Sequence, residues 1–188
     1  MEEIIHQDKE LLLYLNGLGS STFDSFWMWI TNPLIWIPLF AVLLYLVYKK
    51  YQFKNFLLVL LFLAIGIAAS DQLANVFKYG FARLRPCHDP ELLGRMRYVI
   101  CGGKYGFYSA HASTSFLIAT FLTVLVGKEY KYLKFVVFAW AVLFSYSRIY
   151  LGVHFPGDVL VGSVFGFLLG GLFGTLALWY SRKKTIAN

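Results

Sequence analysis

Apolar residues in this chain gather in blocks. Five of them approach the roughly 20 residues that a helix needs to cross a hydrocarbon core: Ser25–Tyr48, Phe56–Phe77, Ser109–Val126, Tyr132–Ser147 and Phe155–Tyr180. They predict an all-α, polytopic membrane helical bundle with about five transmembrane helices. Pro33 and Pro38 fall inside the first block, so a kink or a late helix start is expected near Asn32. Ahead of the blocks, Leu11, Leu12, Leu13, Tyr14, Leu15 and Leu18 are too few to span. They predict an interfacial helix within residues 1–24.

The polar positions between blocks set the sidedness. Lys49, Lys50 and Lys54 follow the first block, Lys128, Lys131 and Lys134 the third, and Arg182, Lys183 and Lys184 the fifth. Five crossings put all three clusters on one face, which the positive-inside rule makes the cytoplasm, together with the C-terminus. The acidic start, MEEIIHQDKE, then lies outside and is not a cleavable signal peptide. The one long linker, residues 78–108, is extracytoplasmic and nonetheless basic: Lys78, Arg83, Arg85, Arg95, Arg97 and Lys104 stand against Asp89 and Glu91. A basic loop on that side predicts a job for the charges. Gly162, Gly166, Gly170 and Gly174 line one face of the last block, where small residues let another backbone approach, within the chain in preference to a dimer seam. No internal repeat is visible, and residues 1–188 read as a single domain.

Composition supports this reading. The chain has 188 residues, of which 59% are hydrophobic and only 14% charged, against about 25% charged in soluble domains. The formal net charge of +7 belongs to the loops and to an anion site. With no basic arm or low-complexity tail, a nucleic-acid partner is excluded.

Candidate chemistry collects at the outer ends of the blocks. Lys78, Arg85 and Arg148 are three cations, and arginine forks match phosphate oxygens. Ser109, Ala110 and His111 open the third block, where free N–H groups can point at an anion. His111 and His154 supply nucleophile and acid/base. Asp158, four residues beyond His154, can fix the imidazole tautomer. Asp71, with Asn75 and Lys78 on one stripe, is a candidate to position Lys78, and Arg83 lies near enough to support the site or touch substrate. His6 and His88 are given no role. Cys87 and Cys101 share the outer loop, where a disulfide is permitted and could fasten it over the site. Two cysteines without a matching ligand pair make no zinc site, and the cations supply the charge stabilisation a metal would give, so no metal or cofactor is expected.

Lys78-(six residues)-Arg85-Pro86, then Ser109-Ala110-His111, then Ser147-Arg148-(five residues)-His154-(three residues)-Asp158 resembles the three-part signature of the type 2 phosphatidic acid phosphatase superfamily. The first and third parts match fully. The middle part has Tyr108-Ser109-Ala110-His111 where that family usually has Pro-Ser-Gly-His, and the Cβ of Ala110 narrows the room for a phosphate. The resemblance implies a membrane-integral, metal-independent lipid phosphatase of the cell envelope, set in the cytoplasmic (inner) membrane with its site facing outward. It implies His154 as the nucleophile that becomes phosphohistidine and Asp158 as its partner. His111 is then the acid/base, with Lys78, Arg85, Ser109, Ala110 and Arg148 around the phosphate.

The expected partners are the bilayer and a lipid phosphate whose tail enters laterally. Undecaprenyl diphosphate suits the compact, loop-poor chain, and phosphatidylglycerol phosphate, phosphatidic acid and lipid A phosphate present the same terminal group. A lipid phosphotransferase using the same histidine is the alternative within enzymes. An anion transporter is the alternative outside them, but it expects charges at mid-span, where this chain is apolar.

Overall fold

The computed structural model describes residues 2–186, and the side chains of Lys184 and the residues after it lie outside what it describes. Six helices follow in order: α1 (Glu2–Gly17), α2 (Ser21–Ile30), α3 (Ile37–Phe81), α4 (Ala110–Val126), α5 (Leu133–Tyr150) and α6 (Pro156–Ile186). No strand occurs among the described residues. The long loop between α3 and α4 carries a lone bridge, Leu84 to Tyr105.

The first block divides as its prolines dictate. Helix α2 ends at Ile30, Asn32 caps a short 3-10 turn over Pro33–Trp36, and the continuous helix starts only at Ile37. The linker expected around residues 49–55 is much shorter than the lysines suggest. Helix α3 is two arms joined at Gln52, whose φ of 56° and ψ of 178° break the helical path. The chain folds back there: the rings of Tyr48 and Phe56 meet at 5.5 Å, whereas eight residues of straight helix advance about 12 Å. Lys49, Lys50 and Lys54 are good helix formers, so nothing in the sequence stops either arm earlier.

Residues 33–81, Leu133–Tyr150 and Pro156–Lys183 are long and apolar enough to cross a bilayer, and the apolar Ala110–Val126 is slightly shorter. Large side chains such as Leu57, Leu61, Ile65, Val164, Phe167 and Leu172 point outward from α3 and α6. An exposed apolar surface of this extent is what a lipid solvent covers and water would not. The core lies inside the bundle, where Leu43, Val47 and Val59 of α3 meet Phe121, Leu125, Trp140 and Phe144.

The glycine face of α6 packs against α4. A Cβ at Gly162 would fall 2.5 Å from the Ser109 carbonyl oxygen, and one at Gly166 would collide with the Ser113 carbonyl. The two backbones therefore touch, as expected for packing within one chain. This close contact fixes the start of α4 against the start of α6, which positions the site.

Helix α1 docks onto the protein more firmly than an interfacial segment needs to. Leu12 is fully buried with Leu92, Ile149 and Phe155. Asn16 donates to the Tyr150 carbonyl at 2.9 Å and accepts from the Arg97 amide. Lys9 pairs with Asp89 and Glu91 of the long α3–α4 loop, each at 2.8 Å. That loop is closed by a Cys87–Cys101 disulfide with the Cα atoms 5.8 Å apart.

Candidate active site

At the end of the bundle that carries the long loop, four segments converge on His154. The ring is buried, and each of its nitrogens has a defined partner. Nδ1 lies 3.3 Å from Oδ2 of Asp158, and Nε2 lies 3.2 Å from Nη1 of Arg85. A guanidinium can only donate, so Nε2 presents its lone pair and the ring proton sits on Nδ1, directed at the carboxylate. Asp158 is held in turn: Oδ2 also accepts from the Phe155 amide at 3.1 Å, and Oδ1 accepts from Arg83 at 2.8 Å. Burial lowers the His154 pKa to about 4, with the Asp158 hydrogen bond opposing that shift. The imidazole is therefore neutral at physiological pH.

The cations gather around this lone pair. Arg85 hangs from the long α3–α4 loop, braced by the carbonyls of Val153 and Tyr105. Arg148, in the last turn of α5, is 8% exposed. It donates to Thr31 at 2.6 Å, while its Nε is buried with no partner among the described residues. A buried charged donor left unpaired costs at least about 1–3 kcal/mol, so this group awaits an acceptor. Lys78, in the last turn of α3, is half-buried and has no hydrogen bond or ion pair among the described residues. His111 opens α4 with its ring stacked on Phe144 at 5.4 Å. Arg148, His154, Arg85 and Lys78 all lie within Coulombic reach of it. The pocket thus brings together the residues of all three sequence motifs and holds more positive charge than its one carboxylate balances.

Three expectations change. Ser109 does not offer its N–H to an anion, because that amide donates to the Asp158 carbonyl at 3.0 Å and its hydroxyl caps Ala112. The tight α4–α6 packing demands this tie. At the start of α4 the amides of Ala110 and His111 have no hydrogen-bond partner among the described residues. Asp71 makes no direct ion pair with Lys78 among the described residues: seven residues along a helix is about 10 Å, its exposed carboxylate accepts from Asn75 at 3.4 Å, and it reaches Lys78 only through its charge. Both terminal nitrogens of Arg83 already hold carboxylates, Nη1 on Asp158 and Nη2 on Asp8 at 2.7 Å, with the guanidinium over the Phe155 ring at 4.0 Å. The departure at Tyr108 is accommodated by burial, its ring stacked on Phe165 at 5.0 Å.

Sequence reasoning missed two residues. Thr31, the partner of Arg148, sits at the α2 break with no motif around it. Asp8 of α1 reaches both Arg83 and the Gly157 amide, the latter at 2.7 Å. Nothing in the spacing links Asp8 to positions some 75 and 149 residues away.

The family model of the PAP2 superfamily matches residues 58–184, about two thirds of the chain and all three motifs. The chain belongs to the PAP2 superfamily. The resemblance read from the motifs is therefore borne out, and the all-α membrane fold and the phosphatase class go with it. The lipid A 4′-phosphatase of Bacteroides thetaiotaomicron is 36% identical over 95% of this chain and 78% of its own length. The undecaprenyl-diphosphatase of Sulfolobus acidocaldarius is 30% identical over 88% of this chain and 76% of its own. Among solved structures, the transmembrane PAP2-type phosphatidylglycerolphosphate phosphatase of Bacillus subtilis superposes with a TM-score of 0.68. At 24% identity, over 97% of this chain and 88% of that one, it speaks for the fold alone.

Proposed function

We propose that this PAP2 phosphatase removes the terminal phosphate of a membrane lipid through a phosphohistidine on His154. The observation that carries the proposal is the His154 lone pair, aimed by Asp158 into a pocket of uncompensated cations. Nε2 attacks phosphorus as the ester or anhydride oxygen departs, and that oxygen takes a proton from His111, which must be protonated in the bound complex. Asp158 stabilises the phosphoimidazolium through Nδ1–H. Lys78, Arg85, Arg148 and the amides of Ala110 and His111 hold the non-bridging oxygens where charge builds up. His111, now neutral, then takes a proton from water. The hydroxide attacks phosphorus, and the P–N bond breaks with its electrons returning to Nε2. Every charge this scheme needs comes from side chains, so the reaction runs without a metal.

The substrate class we favour is lipid A bearing a phosphate monoester, because the Bacteroides relative matches at higher identity and over more of the chain than the undecaprenyl-diphosphatase. That moves the preference away from the polyprenyl diphosphate to which compactness alone pointed. The Sulfolobus relative keeps undecaprenyl diphosphate as the second reading. Purified protein in detergent is to be assayed for phosphate release from both lipids, from phosphatidic acid and phosphatidylglycerol phosphate, and from a soluble ester. Fastest turnover is expected on lipid A, unaltered by excess chelator. Fastest turnover on undecaprenyl diphosphate selects the second reading. Equal activity on the soluble ester contradicts a lipid substrate, and a strict divalent-cation requirement contradicts the metal-free scheme.

The site then faces outward from the cytoplasmic membrane, with the C-terminus inside. The basic clusters near Gln52, after α4 and in the last turns of α6 support that orientation. Membrane-impermeant thiol labelling of intact cells is expected to reach Arg95→Cys and spare Lys131→Cys. The reverse pattern would invert the topology.

A further inference from the structure

The charges around Asp158 continue past the pocket into the N-terminal helix. Asp158 Oδ1 accepts from Arg83 Nη1 at 2.8 Å, and Arg83 Nη2 donates to Asp8 Oδ2 at 2.7 Å. Asp8 Oδ1 accepts from the Gly157 amide at 2.7 Å, in the first turn of α6. That amide belongs to the residue just before Asp158, so the loop of contacts closes on itself. Asp158 is fully buried, and the side chains of Asp8 and Arg83 are 12% and 24% exposed. Charges of alternating sign, Asp8, Arg83 and Asp158, run from α1 up to the His154 imidazole.

We infer that Asp8 and Arg83 are positioning residues for the phosphatase reaction, holding the Asp158 carboxylate in the one orientation that aims His154 Nε2 at phosphorus, so that helix α1 is part of the catalytic apparatus. The inference rests on the phosphohistidine reading and deepens it. With Oδ2 on Nδ1–H and the Phe155 amide, the carboxylate can still pivot about that oxygen unless Oδ1 is held, and Arg83 Nη1 holds it while Nη2 is braced on Asp8. An unbalanced arginine there would draw charge from Asp158 and weaken its support of the phosphoimidazolium. Asp8 supplies the compensating charge. It can come close because residue 157 is glycine: a Cβ there would lie 2.8 Å from Asp8 Oδ2, and a flexible carboxylate end would yield.

The groups facing His154 are Asp158 from α6, Arg85 from the outer loop, Arg148 from α5 and His111 from α4. Only Asp158 is touched by the proposed relay, which gives the test its sign. Removing Asp8 leaves Arg83 free to pull on Asp158, so the imidazole becomes less basic and the acid limb of kcat/KM moves to lower pH. Removing Arg83 releases Asp158, and that limb moves to higher pH.

The experiment compares Asp8→Asn, Arg83→Gln, Gly157→Ala and His154→Ala in the full chain, with phosphate release from a lipid A monophosphate as the assay. Thermal unfolding in detergent checks that each variant is folded. The first two are expected to lower kcat by about 10- to 100-fold, as when an outer hydrogen-bond partner is lost. KM should change little, and the pH limbs should shift in opposite directions. Gly157→Ala, which displaces Asp8 without deleting it, is expected to behave like Asp8→Asn and decides the matter if that variant is unstable. Unchanged kcat and pH profile in Asp8→Asn and Gly157→Ala overturn the inference. An effect confined to KM does so as well, since it would make Arg83 a substrate contact. Turnover by His154→Ala instead sinks the phosphohistidine reading, whatever the other variants do.

Discussion

On the α1 side of His154, Arg83 places both terminal nitrogens on carboxylates and lies flat on Phe155. On the other side, Arg148 is buried with one hydroxyl partner and an unpaired Nε, and neither Arg85 nor Lys78 has a carboxylate partner among the described residues. The same side chain is used in opposite ways within one site. Where charge is balanced, the network is complete and can only hold. Where it is not, the pocket is short of an anion, and a phosphoryl group supplies it. The difference separates residues that aim the nucleophile from residues that bind the substrate.

That separation breaks most easily at Arg148. Arg148→Ala is expected to lower kcat/KM by about 10²- to 10³-fold, the range for losing one preorganised donor to a developing oxyanion. It should also weaken inhibition by inorganic phosphate, an effect that Asp8→Asn should lack. Equal loss of phosphate inhibition in both variants would erase the distinction. The pH profile sharpens it next. With His154 neutral down to about pH 4 because burial outweighs the Asp158 bond, the nucleophile is lost only as pH falls through that value. Once the titrations of the substrate and of His111 as general acid are accounted for, the limb of kcat/KM that belongs to His154 should therefore fall only below about pH 4. A limb near the ordinary histidine value would show that the ring is less secluded than the fold implies. A smaller effect is expected at the disulfide that closes the loop holding Arg85. Cys87→Ser with Cys101→Ser should cost about 3 kcal/mol of loop-closure stabilisation, read as a lower unfolding temperature. Its kcat should fall less than that of Arg148→Ala. The smallest effect is expected at Asp71→Asn, whose carboxylate faces outward and should leave turnover unchanged.

The two sides also differed in how much of them the sequence disclosed. The binding side was legible because its members sit at fixed intervals from Pro86, His111 and His154, at the ends of apolar blocks that the bundle brings together. The glycine face of α6 and the helix break near Asn32 were legible for the same local reason: steric rules act within a few residues. Asp8 was invisible because its partners are set by how α1 docks, through Leu12, Asn16 and Lys9, and no periodicity records that docking. The turn at Gln52 was hidden too, since neither glycine nor proline marks it. Ser109 misled because a helix-start amide reads as free until the neighbouring helix is known to bring up the Asp158 carbonyl.

The central claim is that His154 Nε2 carries the phosphoryl group during turnover, and rapid acid-free quenching of the enzyme with 32P-labelled lipid tests it most directly. The account predicts protein-bound label that is acid-labile and base-stable, located on His154, formed and discharged as fast as phosphate appears, and absent from His154→Ala. Continued phosphate release with no label on the protein, or label persisting in His154→Ala, would contradict it.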